Sequence, residues 1–132
     1  MTQWSRDLVL YRLDRAHQTL EEAQMPADAG RWNVCVNRLY YACFYAVSAL
    51  LAKDSLASSK HRGVRSLFNK HYVQRGKVPR EVARIYSRLF ERRQEGDYID
   101  FVYFKETDVI PWISDAERFV EHITALAQNE ST

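Results

Sequence analysis

GRWNVCVNRLYYACFYAVSALLAK, residues 30–53, is the stretch whose reading decides the fold. From Leu39 to Ala52 it carries no charged residue, no Gly and no Pro. A run this long, rich in Ala and Leu, is a buried helix rather than a strand. At about 100° per residue, Trp32, Cys35, Leu39, Cys43, Ala46 and Leu50 share one side, and Asn37, Tyr41, Phe44 and Ser48 share the other. The second side is too apolar for water. A helix that is apolar nearly all round lies at the centre of its protein. We therefore expect the Asn37, Tyr41, Phe44 and Ser48 face to be buried against a second subunit or another helix, with a homodimer as the working expectation.

Working outward, 132 residues suit one domain with one core. A hydrophobic content of 46% with 13% aromatics excludes a disordered chain. Four Gly and three Pro are too few for an all-β fold with many tight turns. No uninterrupted apolar run reaches the roughly 18 residues of a membrane span. The first residues, MTQWSRDLVLYRLDR, place charges within their apolar part, so no signal peptide is expected and the protein should be cytoplasmic. Cys35 and Cys43 lie eight residues apart on one helix, about 12 Å along its axis. A disulfide needs Cα atoms within about 7 Å, so both read as small core residues. No metal-ligand spacing, P-loop, dinucleotide-binding glycine turn or nucleophile elbow is present, and no cofactor or metal is implied.

The remaining chain reads as four more helices. The first runs from about Trp4 to Gln24, with Leu8, Tyr11, Leu13, Ala16, Leu20 and Ala23 at its apolar positions. Met25 to Gly30 breaks it. After a polar connection in which Ser58 or Ser59 can cap, a short helix runs from about Lys60 to Val73. Pro79 suits the first position of the next, which reaches about Tyr98. DFVYFK, residues 100–105, is an aromatic, extended link, and a last helix spans about Glu106 to Gln128. Pro111 is tolerated near its start. Short links between five helices make an all-α bundle over residues 1–132.

Charge is segregated. Residues 60–93 hold eleven basic and two acidic side chains, and residues 94–132 hold two basic and nine acidic. A basic block points to an anionic partner such as nucleic acid or nucleotide, although it also serves to balance the acidic block within the protein. In PREVARIYSRLFERRQEGDY, Arg80, Arg84, Arg88 and Arg92 recur every four residues and form one stripe, suited to phosphate or simply to water. Arg93 differs. It falls about 20° from Val82, beside Tyr86 and Leu89, on the apolar face. Asp97, one turn on, shares that side. A charged pair turned inward reads either as an ion pair closing the helix end or as a polar site in a cleft. His61, at a helix start between Lys60 and Arg62, is a natural anion ligand or an exposed polar residue. His71 packs on the short helix.

NRLYYACFYAVSALL (37–51), KHRGVRSLFNKHYVQRGKVP (60–79) and RLFERRQEGDYIDF (88–101) together resemble the HEPN family of small all-α domains. The resemblance implies an up-and-down four-helix core with an extra short helix, usually homodimeric. It also implies frequent pairing with a minimal nucleotidyltransferase as toxin and antitoxin, and in many members ribonuclease activity. The family's ribonuclease motif is an arginine, four to six residues, then a histidine, late in the bundle near the dimer cleft. Arg93 matches that arginine, but Asp97-Tyr98 stands near the histidine's place. Arg65 and His71 have the motif's spacing on the wrong helix. An aspartate does not substitute for a histidine that must carry a proton near neutral pH, so cleavage should be far weaker than with the complete motif. The leading expectation is a module binding nucleotide or RNA and a nucleotidyltransferase partner. Its ligands would be Lys60, His61, Arg84, Arg88, Arg92, Arg93 and Tyr98. The alternatives are a metal-independent ribonuclease toxin, using Arg93 with Asp97 and His61 or with His71, and a structural dimerisation module without ligand.

Overall fold

The structure, a computed structural model, describes residues 2–129, without the Trp4 side chain. The elements are α1 (Gln3–Glu22), α2 (Gln24–Asp28), α3 (Trp32–Lys53), α4 (His61–Phe68), α5 (Arg80–Tyr98) and α6 (Glu106–Gln128). α4 continues into a π-helical turn, Asn69–Val73. No strand occurs among the described residues. The four long helices α1, α3, α5 and α6 form the bundle, and α4 is the additional short helix.

α3 is the central helix: it packs against α1, α5 and α6. Val36, Leu39, Tyr40, Ala42, Cys43, Ala46, Val47 and Ala49 have no exposed surface. The small residues among them let neighbouring helices approach closely, and burial on several sides removes the need for a polar stripe. Phe68, Tyr86 and Phe119 bring α4, α5 and α6 together, with ring centroids 5.6–5.9 Å apart. Both cysteines are buried and unbonded, and burial pushes the Cys35 thiol up to about 11, so neither is a ready nucleophile.

Several local expectations are corrected. The Met25–Gly30 break contains the helical turn α2, and Gly30 ends it with φ +71. Ser58 does not cap α4. Its Oγ accepts from the Lys60 amide at 3.2 Å, Lys60 is the N-cap, and no side chain caps that end. Pro79 is the N-cap of α5 rather than its first helical residue. By length and mean hydropathy, α3 is apolar enough to cross a membrane, contrary to the argument from uninterrupted runs. In this fold 61% of its most apolar window is buried within the chain, which accounts for that apolarity as core.

The face given to a second subunit is partly covered within the chain. Ser48 is 9% exposed, and α1 lies over it, with Arg12 Nη1 donating to the Ser48 carbonyl at 3.0 Å. Phe44 stacks on His61 at 4.4 Å. Tyr41 lies under Arg38 and edge-on to His61, and Asn37 bonds to Asp97. Within the chain α1 covers Ser48 and α4 touches Phe44 and Tyr41, while Asn37, Tyr41 and Phe44 stay partly exposed.

Candidate functional site

Where α3, the start of α4 and the end of α5 meet, they enclose one charged group. Arg93 is 6% exposed. Its guanidinium lies over the Tyr40 ring at 4.6 Å and over the Tyr41 and Tyr98 rings at 5.7 Å each. Nη1 donates to the Tyr98 hydroxyl over a long 3.4 Å, and Nε is buried without a hydrogen-bond partner. No ion pair holds Arg93 among the described residues. Cation–π contacts contribute about 0.5–2 kcal/mol each, but a desolvated charge costs several. Arg93 is therefore a buried cation without a fixed counter-charge among the described residues.

His61, the first residue of α4, completes the cluster. Its Nδ1 is 2.9 Å from the Tyr40 hydroxyl, and its ring stacks on Phe44 and Tyr40. Burial, then the Arg93 charge, lowers its pKa, so His61 is neutral near pH 7. Burial pushes the Tyr40 phenol up to about 12, against the opposing pull of Arg93.

Asp97 does not pair with Arg93. It is exposed, and its Oδ2 accepts from Asn37 Nδ2 at 2.9 Å. Asn37 Oδ1 in turn accepts from Arg38, which reaches Glu22 at 3.5 Å. One turn beyond Arg93 the helix is ending, and a residue on α3 is the nearer partner for the carboxylate. Asn33 places that helix end: its Nδ2 donates to the Val102 carbonyl at 2.8 Å and its Oδ1 accepts from the Phe104 amide at 2.9 Å. The link is thereby tied to α3, with Tyr98 beside Arg93.

Arg80, Arg84 and Arg88 are exposed and Arg92 partly so, but two of the four are engaged: Arg88 meets Asp115 at 3.5 Å and Arg92 meets Glu95. Lys60 is exposed beside His61. His71 lies elsewhere, in a concavity of about 330 Å³ with Asp54, Leu56, Arg75 and Lys77. A larger concavity of about 550 Å³, lined by Trp32, Ile113, Asp28 and Glu106 among others, holds none of the expected ligands. Among the described residues no group of His, Cys, Asp and Glu is arranged to hold a metal.

A model of the HEPN domain matches residues 9–126. The chain belongs to the HEPN family. This HEPN chain is 42% identical over 122 residues to a UPF0332 protein of Thermotoga maritima, covering 92% of each. It is 29% identical over 119 residues to a Methanocaldococcus jannaschii protein named "Putative toxin MJ0605", covering 89% of this chain and 87% of that one. Its fold matches the crystal structure of ST0689, an archaeal HEPN homologue, with a TM-score of 0.72 at 18% identity, over 91% of this chain and 98% of that one.

Two residues of this HEPN site were missed in the sequence, Tyr40 and Asn33. Tyr40 carried a faint signal, because a tyrosine inside an unbroken apolar run must find a partner for its hydroxyl. Asn33, one residue inside α3, carried none.

Proposed function

We propose that this HEPN domain binds nucleotide or RNA through a phosphate at Arg93, as the toxin-type component paired with a minimal nucleotidyltransferase. The observation that carries this reading is the buried guanidinium that no carboxylate among the described residues neutralises. A phosphate oxygen supplies the missing charge and an acceptor for Nε. Tyr98 is 73% exposed and held by one long bond, so it is the side chain an incoming anion displaces. His61 and Lys60 stand beside the entry, and Arg84 extends the positive surface outside. Two Methanocaldococcus jannaschii relatives whose printed names begin "Putative toxin" support the toxin-type role. The domain is expected to act as a cytoplasmic homodimer, and light scattering at micromolar concentration reads that directly.

Fluorescence anisotropy with a labelled single-stranded RNA and with labelled AMP tests the site. Arg93→Gln should weaken binding at least about tenfold, the contribution of one charge-assisted contact. Binding unchanged in Arg93→Gln would remove the site from the ligand's path.

The second reading is a metal-independent ribonuclease, and the specific observation favouring it is His61 close enough to Arg93 for burial and that charge to lower its pKa. Such cleavage needs a base for the 2′-hydroxyl and an acid for the leaving oxygen. Asp97, turned to Asn37 and away from Arg93, is not arranged as that second group. Cleavage lost in both Arg93→Ala and His61→Ala would favour the ribonuclease over the binding module.

A further inference from the structure

We propose that Tyr40 is a positioning residue that holds neutral His61 as the tautomer protonated on Nε2. Tyr40 has no exposed surface, and its hydroxyl lies 2.9 Å from His61 Nδ1. The tautomer follows from where the phenol proton can go. If His61 donated from Nδ1, the Tyr40 O–H would be buried without an acceptor, at the full cost of an unmade bond. The buried Tyr86 hydroxyl and the Arg93 guanidinium both lie close enough to donate to the Tyr40 oxygen. With those donors on its oxygen, Tyr40 directs its own proton to a bare Nδ1, and the neutral imidazole then carries its proton on Nε2.

The surroundings enforce this arrangement. The Arg93 guanidinium sits over the Tyr40 ring at 4.6 Å and holds that ring in place under His61. Phe44 stacked at 4.4 Å and Tyr41 edge-on at 5.6 Å clamp the imidazole against the ring flip that would exchange its nitrogens. The groups facing His61 are the Tyr40 and Tyr41 phenols from α3 and the Arg93 cation from α5. Lys60 and Arg62 are its chain neighbours. No carboxylate among the described residues forms an ion pair with His61, so nothing fixed opposes the neutral form.

The consequence rests on the anion-binding reading of the site. A His61 with Nε2–H donates to an anionic oxygen and does not accept the proton of a ribose hydroxyl. Tyr40 thereby biases the site toward holding a phosphate and away from deprotonating an alcohol.

Long-range ¹H–¹⁵N correlation spectra of the histidine side chains test the proposal, with His61→Gln used for assignment. Wild-type protein at pH 7.5 should show an unprotonated, acceptor-type Nδ1 and a protonated Nε2. Tyr40→Phe keeps the ring and removes only the hydroxyl. It should shift His61 toward a tautomer mixture while backbone amide spectra stay folded. It should also weaken inorganic phosphate binding about 3- to 10-fold, the contribution of one hydrogen bond. A protonated Nδ1 in the wild type, or a folded Tyr40→Phe protein with an unaltered His61 spectrum, overturns the proposal. Should Tyr40→Phe fail to fold, the wild-type spectrum decides alone. If the expected tautomer is found but phosphate shifts neither His61 nor Arg93 signals, the Tyr40 proposal stands and the anion reading of the site falls.

Discussion

Arg93 shows how a single side chain separates stability from function. Burying an unpaired cation is costly, and an apolar residue of similar length recovers that cost. Arg93→Met should leave unfolding free energy in urea unchanged or raise it by about 1 kcal/mol, after the lost cation–π contacts are set against the regained desolvation. The same substitution should abolish phosphate binding. A loss above about 2 kcal/mol would make Arg93 a structural residue and remove the physical argument for a ligand. His61 makes a second prediction. Its folded pKa lies below that of the unfolded chain, so the unfolded state takes up a proton first as pH falls. The stability contributed is complete above the unfolded value of about 6.5 and is lost as pH falls through the folded pKa. Urea midpoints measured from pH 7.5 to 5.5 should fall, and His61→Gln should flatten that slope.

The helices themselves were largely readable, and their junctions were not. α3 could be placed because an uncharged, Ala- and Leu-rich run has few other fates. Arg93 could be placed on the inner face because helical phase follows from counting. The π-helical turn after Phe68 and the short α2 left no periodic signal, since each is too brief for one. The Tyr40–His61 contact joins residues 21 apart across two helices, and the Asn33 bonds join residues 69 and 71 apart, so both depend on packing that no local pattern encodes. Gly96 shows how tight the α5–α6 junction is. A Cβ there would lie 2.8 Å from the Phe104 ring, which packs edge-on against Trp112. Replacing a helical glycine with alanine normally gains about 1 kcal/mol, but displacing a wedged ring costs about 1–3. Gly96→Ala should therefore lower the melting temperature, and amide exchange should quicken in residues 99–104 where the Asn33 bonds loosen. A raised melting temperature would show that Phe104 moves freely.

At the scale of the whole molecule, the basic block over residues 60–93 invites the expectation of strong, charge-driven binding, yet much of it is already engaged. Arg88 and Arg92 meet Asp115 and Glu95, and Arg65 lies over the Phe90 ring at 4.0 Å. The acidic block thus neutralises part of the basic one inside a single chain, as one reading of the charge pattern anticipated. The exposed cations of this block that no ion pair among the described residues engages include Lys60 and Arg62 beside His61, and Arg80 and Arg84 further along α5. Three or four phosphate contacts on a single strand imply that affinity falls about 20- to 50-fold between 50 and 200 mM salt. A ligand lying along the full arginine stripe as well would show a steeper fall. Arg84→Glu should reduce the salt slope by about one contact, whereas Arg88→Glu should change it little while costing the Asp115 contact. Anisotropy titrations of a short single-stranded RNA across that salt range, on both variants, measure the difference. Equal slopes for the two would mean that the Arg88–Asp115 pair opens on binding and that the stripe acts as one surface.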